Sequence, residues 1–394
     1  MQDMIIVFNC GSSSIKFALI HPQTTQIELS GLAEKLGQKD SNISFKYQNN
    51  KITETLSGGS YEAAFNKIKD QLLKLNLIQR IHAVGHRVVH GGVYFKSSVM
   101  IDNDVLMKLK EVTPLAPLHN PANIAGIEFC QKILANLPQV AVFDTAFHQT
   151  MSQEVYNYAI PHELAEKHHI RKYGFHGISH HYVSQEVAKL TAQATANVIV
   201  AHLGNGASVT AVKAGKSVDT SMGMTPLDGL VMGTRSGTID PGIFNFLAQN
   251  LDMSVDETNT MLNKKSGLLG LCDHNDMREI EALTLQKDTR AELAIDLFCH
   301  RLAQFIAGYL IYFDHFDGLV FTGGIGENST TIRAKTIEKL KNVGFAIDKK
   351  HNQSHGQKNH HRIDSQDSLP IFVINTNEEL MIANDTALLT GGKS

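Results

Sequence analysis

One pattern occurs twice in this 394-residue chain, about half a chain apart, and it limits the possible folds more than any other feature. In residues 4–20, an apolar run leads through a Gly/Ser turn into a second run of alternating polarity. In residues 197–213, a β-rich run, the turn sequence HLGNGA and another β-rich run follow in the same order. Each copy is typical of a β-hairpin. Two copies at this spacing predict an internally duplicated fold with a cleft between its halves.

Strands and helices alternate along the rest of the chain, which predicts an α/β fold class. A chain of 394 residues is long for one hydrophobic core, so we expect two domains. The polar, histidine-rich residues 349–367 are expected to form a surface excursion, and a C-terminal helix is expected over 379–389. The other predicted strands are 139–143, 318–321 and 370–374, and clear helical periodicity lies in 61–75, 180–191, 290–313 and 330–342.

The overall composition gives no reason to expect a polyanionic partner or a membrane. The formal net charge of −3 provides no general attraction to nucleic acid or to anionic lipid. The apolar run at the N-terminus is too short for a signal peptide, and we expect no other stretch to reach spanning length. The cysteines form no CxxC pair and are expected to be reduced thiols in a cytoplasmic protein: Cys10, Cys130, Cys272 and Cys299.

Three glycine-containing loops, each directly after an apolar strand, can present backbone N–H groups to an anion. They are residues 11–14, 204–207 and 323–328. Any one of them is more simply a structural turn, but three together favour a nucleotide. Neither common phosphate motif is complete, because Thr210 occupies the first glycine position of a Walker A loop and Ser329 the last glycine position of GxGxxG.

Two arginines are framed by glycines, which is unusual for a solvated surface charge. Arg87 lies in GHRVVHGG and Arg235 in GTRSG. The planar guanidinium group suits carboxylate and phosphate oxygens, so both are candidate anion receptors. A plain surface arginine is the alternative at each position.

Three histidines lie close together in the sequence YGFHGISHH. Their spacing suggests zinc, but no acidic base stands where a metalloprotease motif would need it. His176 lies between two glycines and is expected to be held in a loop against a ligand. His180 and His181, at the predicted helix start, are expected to be capping or core residues.

The remaining candidate site residues have side chains that end in oxygen-bearing groups. Asp144 follows a strand of the buried type and either orients another group or forms a turn. Asn9 and Glu378 could reach a magnesium ion through its waters, although Glu378 suits a helix cap equally well. A set of this kind fits phosphoryl transfer to a carboxylate, because the acceptor is already deprotonated and needs charge neutralisation rather than a base.

Eight motifs, in order and covering essentially the whole chain, resemble those of the acetokinase family, which belongs to the acetate and sugar kinase, Hsp70 and actin superfamily. They are NCGSSSIKF (9–17), GHRVVHGG (85–92), APLHNP (116–121), VFDTAFHQ (142–149), HLGNGAS (202–208), the stretch 219–237, FTGGIGEN (321–328) and TNEEL (376–380).

The resemblance implies two duplicated actin/hexokinase-like (ribonuclease H-like) α/β domains around an interdomain cleft. Residues 1–149 would form the N-terminal domain, to which helix 379–394 returns. Residues 150–378 would bind the nucleotide and form a homodimer. The implied reaction is reversible, Mg²⁺-dependent transfer of a phosphoryl group from ATP to acetate, giving acetyl phosphate and ADP by direct in-line transfer, with Mn²⁺ as a possible substitute for Mg²⁺.

The resemblance also assigns residues by motif. The catalytic set would be Arg87, Asp144, His176 and Arg235, and the metal would be supported by Asn9 and Glu378. The acetate site would comprise Arg87, Val89, Leu118, His119, Phe175 and Pro226. The nucleotide and its phosphates would meet Ser12, Lys16, His202, Leu203, Gly204, Asn205, Gly206, Asp276, Met277, Arg278, Gly324, Ile325, Gly326, Glu327 and Asn328.

Three alternatives stay open. A propionate kinase would use the same chemistry, and one methylene in an apolar pocket is worth only about 1–3 kcal/mol. A sugar or polyol kinase of the same superfamily would need a carboxylate base such as Asp144, but would leave the arginine pair without a purpose. A nucleotide-gated binding protein would use the glycine loops without the arginines and the histidine.

Overall fold

The computed structural model describes residues 4–48 and 50–391, and these fall into two compact units. Within the described residues, the first unit comprises 4–48, 50–147 and 377–391, and the second comprises His148–Thr376. Each unit is built on one mixed β-sheet that is flanked by helices.

The strands among the described residues are β1 (Met4–Gly11), β2 (Ser14–Ile20), β3 (Ile27–Glu34), β4 (Asn42–Tyr47), β5 (Asn50–Thr55), β6 (Ile81–Val88), β7 (Val99–Met100), β8 (Gln139–Phe143), β9 (Val198–Leu203), β10 (Ala207–Lys213), β11 (Lys216–Thr220), β12 (Gly318–Thr322) and β13 (Ile371–Val373).

The α-helices of the same residues are α1 (Tyr61–Lys74), α2 (Asn103–Glu111), α3 (Asn120–Ile133), α4 (Gln153–Tyr156), α5 (His162–Lys167), α6 (Gly177–Leu190), α7 (Gly242–Leu251), α8 (Val255–Lys264), α9 (Gly267–Cys272), α10 (Met277–Leu285), α11 (Thr289–Tyr309), α12 (Gly323–Asn328), α13 (Thr330–Lys339), α14 (Lys349–Gln353) and α15 (Glu378–Leu389).

The two sheets share one topology. The first has the order β5-β4-β3-β2-β1-β6-β8-β7, in which β1 to β3 are antiparallel while β6 and β8 run parallel to β1. The second has the order β11-β10-β9-β12-β13, with β9 to β11 antiparallel and β12 and β13 parallel to β9. The second sheet therefore repeats the five central strands of the first, which confirms the duplication predicted from the two hairpins.

Helices cover both faces of the first sheet. Gly85 on β6 allows α15 to pack directly on the strand, because a Cβ atom there would lie 2.5 Å from Thr386 Oγ1 and 2.7 Å from Ile382 Cγ2. Val84 points to the opposite face and joins a core cluster that contains Phe65 of α1. Burial on both faces explains why β1 is an unbroken apolar run rather than an alternating one.

The core of the second unit is organised around α11. Its buried residues include Ile295, Phe298 and Leu302, and the helix packs against α9, α10 and α13. By length and composition, the segment Thr289–Tyr312 could cross a membrane, so the expectation that no stretch beyond the N-terminus reaches spanning length is wrong. The buried face of α11 shows that it serves as a core helix of this unit.

The histidine-rich residues 349–367 do more than form a surface excursion, and that prediction is wrong in part. Asn352 and Ile363 are buried, and so is Arg333 of α13. The Arg333 guanidinium donates to Asn352 Oδ1 at 2.7 Å and to the Asn352 carbonyl at 2.9 Å. Burial lowers the Arg333 pKa to about 10. The polar segment folds over this side chain because its buried N–H groups require acceptors.

Candidate active site

Arg87 lies near the end of β6, and the loop that follows it is held by an amide side chain of α3. Asn123 Oδ1 accepts a hydrogen bond from the Val89 N–H at 3.0 Å. Asn123 Nδ2 donates to the Cys10 carbonyl of β1 at 2.7 Å. The amide thus ties the loop after β6 to the end of the neighbouring strand and fixes the backbone from which Arg87 projects.

Three oxygen-bearing side chains surround the Arg87 guanidinium. Asp144 accepts from Arg87 Nε at 3.1 Å and from Arg87 Nη2 at 2.5 Å, in a bidentate arrangement. Asn9 Oδ1 accepts from Arg87 Nη1 at 3.2 Å. Glu378 Oε2 lies 3.9 Å from Arg87 Nε. Four of the predicted site residues therefore meet within the first unit.

The charges of this cluster are strongly coupled. Burial alone would lower the Arg87 pKa, but the carboxylates of Asp144 and Glu378 raise it above its ordinary value. Burial raises the pKa of Asp144, while the Arg87 charge and hydrogen bonds oppose that rise. Asp144 is almost completely buried, so its ionised form depends on the guanidinium beside it.

Glu378 does not cap α15, so the capping interpretation of this residue is wrong. The N-cap is Asn377, whose Oδ1 accepts from the Leu380 N–H at 3.0 Å. Glu378 is the first residue of the helix, and its carboxylate is left to face Arg87.

The other predicted residues of the first unit differ in exposure. Lys16 forms an ion pair with Glu379 at the start of α15. Val89 is buried and His119 half-buried, whereas Ser12 is exposed and Leu118 is 58% exposed. Of the predicted acyl-pocket residues in this unit, Val89 therefore belongs to the core and Leu118 to the surface.

In the second unit, His176 adopts an unusual backbone conformation directly before α6, with φ 58°. Its Nδ1 lies 2.9 Å from Ser208 Oγ on β10. Its ring stands 4.5 Å from that of His202, measured between centroids. His180 is fully buried, which confirms that it is a core histidine. The left-handed residue turns the His176 ring toward β9 and β10, where the glycine turn begins.

Arg235 differs from Arg87 in its electrostatic surroundings. Its Nη1 donates to the Pro226 carbonyl at 3.0 Å. Among the residues that the structure describes, no carboxylate lies within ion-pair distance of Arg235. Burial lowers the Arg235 pKa. This half-buried guanidinium has no acidic counterion in the part of the chain that the structure describes, and it is therefore suited to receive an anion.

The side chains of Arg235 and His176 both lie beside Gly206. A Cβ atom at Gly206 would lie 3.4 Å from His176 Nε2 and 3.6 Å from Arg235 Nη1. The Gly233 N–H donates to the Asn205 carbonyl at 3.0 Å, which ties the loop of Arg235 to the same turn. The glycine turn between β9 and β10 thus lies beside one guanidinium and one imidazole. Phe175 is buried next to His176 in sequence, and Pro226 is half-buried.

A cavity of about 720 Å³ lies in the second unit at the glycine-rich segments. Eight of the predicted nucleotide residues line it: Gly204, Asn205, Asp276, Met277, Arg278, Gly324, Ile325 and Asn328. Arg278 is held by Asp276, which accepts from its Nε at 3.0 Å and from its Nη2 at 2.5 Å. The segment that begins at Gly323 was expected to be a loop, but it forms the short helix α12.

The remaining predicted nucleotide residues are not among the lining residues. Glu327 turns inward and accepts from the Gly323 N–H at 3.0 Å and the Thr376 N–H at 3.1 Å, so it joins the segments after β12 and β13. Leu203 and Gly326 are buried. His202 Nδ1 contacts Ser179 Oγ at 2.8 Å.

Three residues that line the cavity were not predicted from the sequence, namely Asn275, Glu281 and Ser329. Ser329 caps α13 by accepting from the Ile332 N–H at 3.0 Å, and it also donates to Glu281. A serine directly after the glycine-rich segment was a usable signal for this cap. Asn275 adjoins the predicted Asp276, but nothing in its local sequence indicates that it faces a cavity.

Comparison with known proteins places these features in a family. The sequence model of the acetokinase family matches residues 4–384. The chain is 57% identical over 383 residues to an acetate kinase of Francisella tularensis subsp. holarctica, covering 97% of this chain and 98% of the relative. It is 47% identical to an acetate kinase of Chromobacterium violaceum, covering 99% of each.

Solved structures give the same result. A propionate kinase from Francisella tularensis subsp. tularensis superposes with a TM-score of 0.96 at 57% identity, covering 98% of this chain and all of the other. An acetate kinase from Porphyromonas gingivalis superposes with a TM-score of 0.91 at 39% identity, covering 98% and 99%.

The duplicated fold and these likenesses define an α/β kinase that phosphorylates a carboxylate. The chain belongs to the acetokinase family. The fold class predicted from the sequence, with two duplicated actin/hexokinase-like α/β units, is confirmed.

Proposed function

We propose that this chain transfers the terminal phosphoryl group of ATP reversibly to acetate, with Mg²⁺, by direct in-line displacement. The observation that carries the proposal is Arg235, a half-buried guanidinium without an acidic counterion among the described residues. Leaving a cation partly desolvated and unpaired is costly, and a bound anion removes that cost. His176 Nε2 lies beside the same glycine turn and would donate to an oxygen of that anion.

In the first unit, Arg87 would bind an oxygen of an anionic substrate. The Arg87 guanidinium is already aligned by the bidentate contact with Asp144, so little side-chain entropy would be lost on binding. We assign Asp144 to orienting Arg87 rather than to proton abstraction, because acetate has no proton to give up. Catalysis would then rest on positioning and on neutralising charge over the phosphoryl oxygens.

The cavity in the second unit would hold ATP. Its volume of about 720 Å³ suits a nucleotide. Arg278 presents a planar guanidinium that Asp276 holds in place, and Ile325 adds apolar surface, so together they suit a flat purine ring. The phosphates would extend toward the turn that contains Gly204. Ser12 and Lys16 of the first unit stay predicted phosphate contacts.

Asn9 and Glu378 fit a magnesium ion that arrives with the nucleotide. Both side chains present oxygen to the same guanidinium, and oxygen is the ligand that Mg²⁺ prefers. Among the described residues, no group of three or more histidine, cysteine or acidic side chains is poised to hold a metal without help. That fits an ion whose remaining ligands are waters and phosphate oxygens. When bound, Mg²⁺ (or Mn²⁺) would neutralise phosphate charge.

Acetate would contact the residues assigned to the acyl pocket, Val89, Leu118, His119, Phe175 and Pro226. Propionate is the second candidate, because a relative of 57% identity is named a propionate kinase. Turnover numbers with acetate, propionate and butyrate, measured with Mg-ATP, would decide between them. Equal kcat/KM for acetate and propionate would show that the pocket does not exclude the extra methylene.

We further propose a cytoplasmic homodimer formed through the second unit. Helix α7 is rich in apolar residues but buries none of them, and Phe246 and Leu251 are each 61% exposed. Val255 on α8 is also exposed. Such a surface is unusual on a monomer and suits a second copy of the chain. Light scattering should report a dimer, and Phe246→Glu should shift it toward the monomer.

The reaction is tested by trapping acetyl phosphate from ATP and acetate with hydroxylamine. Arg235→Ala should lower kcat by roughly 10²–10³-fold, the cost of removing a donor that stabilises developing charge. Its affinity for ATP should change little. Arg301→Ala removes an exposed arginine of the same unit and serves as the matched control. Near-normal turnover by Arg235→Ala would contradict the proposed role, and absence of hydroxamate with the wild type would contradict the reaction.

A further inference from the structure

The side chain of Ser208 contacts two histidines at once. Its Oγ lies 2.9 Å from His176 Nδ1 and 2.7 Å from His180 Nε2. Ser208 and His180 are fully buried. His176 and His180 are four residues apart at the start of α6, so both rings face the same strand, β10.

A serine hydroxyl has only one hydrogen to donate. If Ser208 donates to one histidine, the other histidine must donate its ring N–H to Ser208. Within residues 4–48 and 50–391, Ser208 Oγ has no third partner that could take its hydrogen. The two rings therefore carry complementary tautomers, and the direction of the chain of hydrogen bonds decides which nitrogen of His176 holds the proton.

The surroundings of His180 set that direction. Its Nδ1 is buried and has no hydrogen-bond partner among the described residues. If Ser208 donated to His180 Nε2, the His180 proton would sit on Nδ1, where a buried N–H would lack an acceptor. If His180 donates from Nε2 instead, Nδ1 carries only a lone pair. Burial also keeps His180 neutral, because it lowers the His180 pKa well below its ordinary value.

We propose that His180 and Ser208 are positioning residues that fix His176 in the tautomer with its proton on Nε2. In this arrangement, His180 Nε2–H donates to Ser208 Oγ, and Ser208 O–H donates to His176 Nδ1. The Ser208 contact also holds the His176 ring in its observed orientation.

The consequence lies at the glycine turn. His176 Nε2 faces the position of Gly206, where a Cβ atom would stand 3.4 Å away. The fixed tautomer directs an N–H donor to this point, and the other tautomer would direct a lone pair there. An anionic oxygen is attracted by the donor and repelled by the lone pair. The catalytic meaning of this arrangement rests on the proposed function, whereas the tautomer itself does not.

The tautomer is measured by long-range ¹H–¹⁵N NMR of full-length protein that contains ¹⁵N-labelled histidine, with the His176 signal assigned from its loss in His176→Gln. The wild type at neutral pH should show His176 protonated on Nε2 and unprotonated on Nδ1. Ser208→Thr keeps the hydroxyl and should keep this pattern. Ser208→Ala should give a mixture of tautomers. A wild-type His176 protonated on Nδ1 would overturn the proposal, whatever the variants do.

Kinetics add a second readout. Ser208→Ala should lower kcat about tenfold, less than the loss of a whole charge-stabilising donor, with the KM for ATP nearly unchanged. His181→Gln alters the neighbouring histidine, whose Nε2 contacts the Gln185 side chain, and should behave as wild type. If the wild type fails to phosphorylate any carboxylate but His176 shows the expected tautomer, only the proposed function fails. If Ser208→Ala matches wild-type kcat and tautomer, the positioning role fails.

Discussion

Arg87→Ala should destabilise the first unit, chiefly because it leaves the buried Asp144 carboxylate without its counterion. Asp144 is 1% exposed, and Arg87 donates two hydrogen bonds to its carboxylate, at 3.1 and 2.5 Å. Removing one partner of a buried ion pair costs about 3–5 kcal/mol, because the remaining charge has neither solvent nor counterion. This cost is well above that of losing an exposed ion pair, which is about 0–1 kcal/mol.

The pH dependence of stability gives a sharper signature. Burial raises the folded-state pKa of Asp144, so the folded chain binds a proton more readily there than the unfolded chain does. Such a group contributes most below its ordinary pKa, and its contribution is lost as pH rises toward the folded value. Without Arg87 the folded pKa should rise further, so the loss should extend to higher pH, at about 1.4 kcal/mol per pH unit inside that window.

The measurement should resolve the two units, because a chain with two compact units need not unfold in one step. Hydrogen exchange followed by mass spectrometry of first-unit peptides, across a urea series from pH 5 to 8, meets that need. Arg87→Ala combined with Asp144→Asn removes both charges and should recover much of the lost stability. A coupling energy below about 1 kcal/mol, or a pH profile identical to the wild type, would refute the argument.

Three further predictions follow from single contacts. Glu378→Gln should raise the Mg²⁺ concentration needed for half-maximal activity, and an unchanged magnesium titration would remove Glu378 from the metal site. Arg333→Met should raise the KM for ATP more than it lowers kcat, because the Gly326 carbonyl loses the hydrogen bond that Arg333 donates at 2.7 Å. Equal effects on KM and kcat would argue against this prediction. Gly85→Ala should lower the free energy of unfolding by about 1–3 kcal/mol through contact with Ile382, which would appear as a lower thermal midpoint. An unchanged midpoint would show that α15 can shift at no cost.

Sequence periodicity was sufficient for the elements that carry the fold. The strand 139–143 was predicted with its observed bounds, and α1 differs from its prediction by one residue at its end. Both are determined by local patterns of apolar residues. The parallel pairing of β6 with β1 depends instead on contacts between residues far apart in sequence, and it became visible only in the sheet itself.

Within residues 349–367, the burial of individual polar side chains could not be predicted from the sequence. Polar composition indicated surface, but Asn352 and Asp364 are buried because they bond to arginines. Asn352 Oδ1 accepts a hydrogen bond from Arg333, which lies on a different helix and is itself buried. The burial of Asn352 depends on a partner 19 residues away in sequence, so no local pattern records it. The same holds for Ser208, whose two histidine contacts cannot be read from the strand that carries it.

The two glycine-framed arginines look alike in sequence, yet their surroundings give them different electrostatic roles. Arg87 faces two carboxylates, so the cluster around it carries net negative charge in the absence of ligand. Arg235 has no acid within ion-pair distance among the described residues, so it carries its positive charge uncompensated. An anion alone is therefore attracted to Arg235, whereas the Arg87 cluster favours a cation or an anion that brings one. Because Mg-ATP brings a cation with its phosphates, it would meet the requirement of the Arg87 cluster in the proposed reaction.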